Sequence, residues 1–230
     1  MCTLTVSGAF GARRVTMSRD ERRDRACELA PAWKGDPPVL APLDPESGGT
    51  WFGVRRDGAW AALLNAYPGV PSVLAEPKSR GRLVPSLLQA DRTDAFWANE
   101  DLSATQPFRL FHSEGPTVRE ARWDGRSLTM TDHGEGELFA TSSSQDEEAT
   151  QAWRQHRYEA WRAGGSVVDA QGVPRLHLDR DGGPWRAVLM TRAASRTCSL
   201  VQATLITGLP VSMRFWNEHA IGSAPSAEVA

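Results

Sequence analysis

The sequence predicts an α+β layer fold, with two antiparallel sheets sandwiched between layers of helix in four αββα strata. Three observations carry this. Short runs rich in β-branched and aromatic residues recur along the chain with Gly, Asp and Pro between them, the mark of strands joined by tight turns. Residues 81–99 and 147–163 instead repeat apolar or amphipathic positions at helical spacing. Strands and helices come in separate runs, which favours segregated layers over a βαβ repeat.

Taken in order, residues 2–6 read as a strand, Gly8 and Gly11 as a turn, and residues 14–17 as a returning strand. Residues 19–29 are polar and tolerate either a helix or an ordered loop. Residues 31–49 are proline-rich and aperiodic, and read as a long surface loop. Residues 50–55 and 59–65 flank Asp57-Gly58, a hairpin signal. Residues 68–79 are again loop. Leu83, Leu87 and Leu88 give residues 81–90 a helical stripe, and residues 91–99 continue as a short second helix around Phe96 and Trp97. Four short strands follow, over residues 108–112, 117–123, 127–131 and 137–141. Residues 147–163 form the strongest helix, with acids at its start, arginines toward its end and Gly164-Gly165 to stop it. Residues 186–190, 198–207 and 211–216 read as closing strands. The expected organisation is one domain over residues 1–222 and a flexible tail over 223–230.

The chain has 230 residues, 40% hydrophobic and 23% charged, enough to bury a core without staples. A net charge of −2 gives no electrostatic reason to expect nucleic acid or an anionic membrane as partner. No apolar run approaches the ~20 residues of a membrane span. The first residues lack the basic and apolar regions of a secretory signal. Acids interleaved with the early arginines argue against a transit peptide. Cys2, Cys27 and Cys198 are too few and scattered for a disulfide framework or a zinc site. The expected home is a reducing cytoplasm. The five histidines show no metal spacing, and neither a metal nor a cofactor is expected. Nine tryptophans point mostly to core, with a subset available to line a ligand pocket. The sequence leaves those two uses open.

Cys2 carries the chemistry. Once Met1 is removed, one residue holds both a thiol and a free α-amine. The amine, with a reference pKa of about 8, can act as base toward the thiol. That is the pairing of an N-terminal nucleophile. Read alone, Cys2 is more readily an inert second residue and Arg19-Asp20-Glu21 more readily an ion-pair cluster that fixes the start of the chain, and Asn65 can be a turn cap.

Met1-Cys2-Thr3-Leu4, Ser18-Arg19-Asp20-Glu21, Gly48-Gly49-Thr50-Trp51-Phe52-Gly53-Val54, Leu63-Leu64-Asn65 and Ser79-Arg80-Gly81-Arg82-Leu83-Val84-Pro85 occur in that order. Together they resemble the NRDE family, which includes the Transport and Golgi organization 2 proteins. Ser195-Arg196-Thr197-Cys198-Ser199 is similar to a late segment of the same family. Ser18 stands where the family's namesake asparagine does, and residues 141–144 stand where the family often has Ser-Asn. The resemblance implies an N-terminal-nucleophile hydrolase-like fold, of the penicillin V acylase and bile salt hydrolase type. It implies a site in which Cys2 attacks an amide or thioester carbonyl and Asp20 orients the α-amine. Arg19 stabilises negative charge near the thiolate, and Asn65 donates to an oxyanion. Trp51 and Arg196 are the implied substrate contacts. The alternative it implies is a non-catalytic protein that binds heme, acyl-CoA or another lipid on the same scaffold.

Overall fold

The computed structural model describes residues 2–67 and 76–230. The expected loop over residues 68–79 therefore lies mostly outside the described residues, as does Met1. Thirteen strands form two antiparallel sheets among the described residues. The first sheet contains β1 (Cys2–Ser7), β2 (Ala12–Arg22), β10 (Leu138–Ser142), β11 (Ser195–Ile206), β12 (Ser212–Asn217) and β13 (Ala227–Val229), in the order β10-β1-β2-β11-β12-β13. The second runs in sequence order from β3 (Leu29–Lys34) and β4 (Val39–Leu43), through β5 (Phe52–Arg55) and β6 (Trp60–Asn65). It ends with β7 (Phe108–Ser113), β8 (Thr117–Trp123) and β9 (Leu128–Glu135).

Strand alternation divides the molecule into layers. Leu4, Val6, Val15, Met17, Val201 and Ala203 of the first sheet meet Leu40, Phe52, Val54, Trp60, Ala62, Leu64 and Phe111 of the second, forming the main core. On the far side of the second sheet lie α1 (Leu83–Gln89) and α2 (Thr93–Asn99), which bury Leu83, Val84, Leu87, Leu88 and Trp97 against Ala61, Leu63, Phe108 and Leu110. On the far side of the first sheet lie α3 (Glu147–Ala163) and α4 (Gly183–Arg186). This is the αββα sandwich that the sequence predicts. No helix among the described residues is long and apolar enough to cross a membrane. Of the tryptophans, Trp51, Trp60, Trp97 and Trp216 are buried, while Trp185 is 55% exposed.

Four expectations fail, each for a local reason. Residues 19–29 are neither helix nor loop at their start, because β2 runs on to Arg22 with β11 paired along it. The proline-rich stretch is not one long loop but the β3–β4 hairpin, with Trp33 opposite Leu40 and Lys34 opposite Val39. Its prolines are tolerated because β3 is an edge strand, and because β4 pairs with β5 only at Val39 and Leu40, leaving Pro42 beyond that ladder. Residues 186–190 are not a strand. They leave α4 as a buried turn, with Leu189 N donating to Asp179 O and Met190 N to Thr197 Oγ1. An apolar run this short does not reveal its own conformation. Finally, the expected flexible tail includes β13, which pairs with Met213, Arg214 and Phe215, and Ala227 and Val229 pack against the main core.

Candidate active site

The site lies at one end of the sandwich, where β1 begins. Cys2 pairs with Ser142 of β10 on one side and with Arg19 of β2 on the other, and Arg19 pairs with Ser199 of β11. Directly opposed residues in antiparallel strands point to the same side. Ser142, Cys2, Arg19 and Ser199 therefore make one row across the inner face of the first sheet. Cys2 is only 6% exposed and lines a cleft of about 260 Å³ with Arg19, Asp20, Trp51, Asn65 and Arg80. Burial pushes its thiol above the ordinary value, while the Asp20 backbone N–H and the Arg19 cation pull it back. Ser142 Oγ is buried and has no hydrogen-bond partner among the described residues.

Period-two alternation splits the Arg19-Asp20 pair. Arg19 shares the face of the Cys2 side chain, whereas Asp20 points outward toward the α3 layer. Arg19 is held from every direction. Its guanidinium donates to Glu28 at 2.5 Å, Glu21 at 3.0 Å and Asp44 at 3.1 Å, and stacks 4.6 Å from the Trp51 ring centroid. Arg25 shares Asp44 at 2.7 Å. Arg19 is thus both the inner-face neighbour of Cys2 and the centre of an ion-pair cluster.

Cys198 sits half-buried at a β-bulge of β11. Its Sγ donates to Glu28 Oε1 at 2.8 Å, and burial together with Glu28 holds that thiol far above its usual range. Arg196 does not join the Cys2 cleft. It pairs with Glu218 and lines a neighbouring cleft with Cys27, Cys198 and Phe215.

Behind the row, the outer face of the first sheet is polar. Arg154 of α3 is fully buried and donates to Thr3 Oγ1 at 3.1 Å, Thr141 Oγ1 at 2.8 Å and Ala187 O at 2.6 Å. It stands 3.7 Å from Asp20 Oδ2, and Thr197 Oγ1 donates to Asp20 Oδ1 at 2.6 Å. Burial pushes the Asp20 carboxyl up, and Arg154 and Thr197 pull it back. Thr141 Oγ1 donates to Cys2 O at 3.1 Å, so Arg154 grips the backbone of Cys2 through Thr141. His177 is also fully buried, between Thr5 Oγ1 at 2.9 Å and Ser18 Oγ at 2.6 Å, and burial with the nearby Arg154 cation lowers its pKa to about 3. The Ser18 hydroxyl, in place of the namesake asparagine, is thereby satisfied by an imidazole from far along the chain.

The cleft's other wall is built by two glycine contacts. A Cβ on Gly81 would stand 2.9 Å from Thr50 N and 3.1 Å from Gly49 Cα. One on Gly49 would stand 2.7 Å from Gly81 C, and Thr50 N donates to Gly81 O at 3.0 Å. The Gly-rich motif before β5 and the Arg-Gly-Arg motif before α1 are therefore two halves of one backbone contact. Trp51 and Arg80 enter the cleft from these halves, and Asn65 from the end of β6, its Nδ2 donating to Tyr67 Oη at 3.3 Å.

A family model described as Transport and Golgi organisation 2 matches residues 14–157, more than half of the chain. The chain belongs to this family. The match takes in Arg19, Asp20, Trp51, Asn65, Arg80 and Arg154, but not Cys2 or Arg196. Over 80 residues the chain is 35% identical to the Transport and Golgi organization protein 2 homolog of Homo sapiens and 34% identical to the Transport and Golgi organization 2 homolog of Mus musculus. That stretch is 34% of this chain and 28% of either relative. In fold the chain is similar to the C2A mutant of conjugated bile acid hydrolase from Clostridium perfringens, with a TM-score of 0.50 and 11% identity over 100% of this chain and 91% of that one. An identity this low speaks for the N-terminal-nucleophile hydrolase-like fold alone.

Sequence motifs marked Cys2, Arg19, Asp20, Asn65 and Trp51, and all five line one cleft, with the Asp20 carboxylate turned to Arg154 on the opposite face of the sheet. They did not mark Arg154 or His177. The signal for Arg154 is an arginine four residues after Thr150 on the same face of an otherwise exposed helix, and those two are the buried residues of α3. His177 carries no such signal.

Proposed function

We propose that the protein is a hydrolase of amide or thioester bonds that uses Cys2 as its nucleophile. The observation that carries this reading is the position of Cys2, paired to Arg19 on one side and Ser142 on the other, at the base of a cleft. Removal of Met1 frees the α-amine of Cys2. The amine takes the thiol proton, and the thiolate sulfur attacks the substrate carbonyl carbon. The C–N or C–S bond then breaks, the leaving group departs with the proton, and an acyl thioester remains on Cys2. Water attacks that thioester and releases a carboxylic acid and the free thiol. Asp20, outside the thiol's face, suits a role in orienting the amine, with Arg154 and Thr197 holding its carboxylate. Asn65 supplies an amide N–H for the oxyanion, a contribution of roughly 3 kcal/mol for a well-placed donor. A reducing compartment such as the cytoplasm keeps the thiol free.

A second reading, binding without turnover, has one observation in its favour. Three carboxylates already compensate the Arg19 cation, leaving it little field with which to stabilise a thiolate. Heme and acyl-CoA are the ligands that the family resemblance implies. The cleft's lining is mostly charged and polar, with Trp51 as its single aromatic among the described residues, which suits a polar head group better than a flat apolar ring. Hydrolysis of short-chain acyl amides and thioesters by the wild type and by Cys2→Ala separates the readings. Turnover lost in Cys2→Ala supports the nucleophile. Turnover unchanged in that variant refutes it, and a wild type that binds without turnover favours the second reading.

A further inference from the structure

We infer that Arg80 is the anion-recognition residue of the Cys2 cleft, and that the substrate or ligand presents a carboxylate or phosphate to it. The inference rests on the cleft reading above and adds the chemical class of what the cleft takes. Four cations line this cleft: Arg19, Arg25, Lys78 and Arg80. Three are compensated by carboxylates. Arg19 has Glu21, Glu28 and Asp44, Arg25 has Asp44, and Lys78 has Asp101 at 3.2 Å. Arg80 has no carboxylate partner among the described residues, and residues 68–75 contain no acid that might supply one. Its Nη1 donates to Pro107 O at 3.0 Å, which fixes the side chain, and its other N–H groups have no acceptor among the described residues.

The acids of the cleft are occupied in turn. Glu21 and Asp44 face Arg19 and Arg25, and Asp20 faces Arg154 on the other side of the sheet. Among the described residues Arg80 is therefore the one cation lining the cleft that has no ion pair, while Arg19 and Arg25 share an excess of carboxylates. The guanidinium is half-buried and held in place, with Tyr67, Cys2 and the Glu21 carboxylate near enough to act on it through space but none of them paired with it. A planar, permanently charged fork with free N–H groups is suited to a carboxylate or phosphate. Its anchorage among the described residues is a single bond to a carbonyl, so a role in holding the fold together does not account for a half-buried cation here.

The test is calorimetric titration of the full chain with three probes of equal chain length, hexanoate, hexyl phosphate and the neutral hexanamide. A hydrogen-bonded charge contributes enough that the better anion binds roughly tenfold to a hundredfold more tightly than hexanamide. Whichever of hexanoate and hexyl phosphate binds better identifies the anionic group. Arg80→Gln abolishes the preference for anions, and Arg80→Lys retains part of it. Equal affinity for all three probes in the wild type, or no measurable binding of either anion at millimolar concentration, overturns the inference, as does a preference that survives in Arg80→Gln. Should Arg80→Gln fail to fold, the wild-type comparison decides alone. Cys2→Ala keeps the two proposals apart. Anion preference retained beside hydrolysis that does not need Cys2 sinks the nucleophile alone. Cys2-dependent hydrolysis with no anion preference sinks Arg80 alone.

Discussion

Acid should weaken the β1–β2 pairing that carries the site, through His177. The imidazole is fully buried, bonded to Thr5 on β1 and Ser18 on β2, and its pKa falls from 6.5 to about 3. Because the folded pKa lies below the unfolded one, the unfolded chain takes up the proton first as pH falls. The stabilisation is therefore present above about pH 6.5 and is lost progressively toward pH 3. Each pKa unit is worth about 1.4 kcal/mol, so by pH 5 the loss from this group is about 2 kcal/mol. His177→Gln keeps a polar side chain in the slot and removes the titration. Urea unfolding of both proteins at pH 7.5 and pH 5 isolates the effect. The wild type should lose about 2 kcal/mol more than His177→Gln, a midpoint difference of about 1 M urea at the m-value of a small domain. Equal losses in the two proteins would mean that His177 is not held neutral between the two hydroxyls.

Arg154→Met removes the cation 3.7 Å from the buried Asp20 carboxylate and should cost about 3–5 kcal/mol in urea unfolding, because breaking one side of a buried pair leaves the other less well compensated. The double variant with Asp20→Asn should cost clearly less than the two single changes added together, and additivity would argue that the two residues do not interact. Gly81→Ala drives a methyl group into Thr50 N and Gly49 Cα and should cost about 1–3 kcal/mol by thermal unfolding, so a neutral result would contradict the backbone contact. In mass-mapped alkylation, the exposed Cys27 should react well before Cys198, and Glu28→Gln should speed Cys198 by removing the carboxylate beside it. Earlier labelling of Cys198 would refute that placement.

The fold was legible where the side chains repeat. The Asp57-Gly58 hairpin, the leucines of α1 and the acid-to-base gradient of α3 each state their own structure. The β3–β4 hairpin was hidden by prolines whose harmlessness depends on an edge position that no local pattern reveals. Within the site, motif order located the cleft but not the direction of its side chains. Arg19 and Asp20 are neighbours in sequence and lie on opposite faces, a consequence of strand periodicity that becomes visible only once β2 is known to run through them. The polar layer behind Cys2 was not legible at all. Arg154 and His177 come from the second half of the chain and meet Thr3, Thr5, Ser18 and Asp20 only through tertiary packing. Each alone reads as an ordinary surface residue.

The most direct test of the proposed nucleophile is to trap an acyl group on the protein. The purified chain is mixed with an activated short-chain thioester, quenched in acid within the first turnovers and mapped by mass spectrometry. The account predicts a chain that has lost Met1 and carries one acyl group on Cys2, with no adduct in Cys2→Ala. A chain that retains Met1, or one that hydrolyses the thioester while its acyl group maps to another residue, would contradict it.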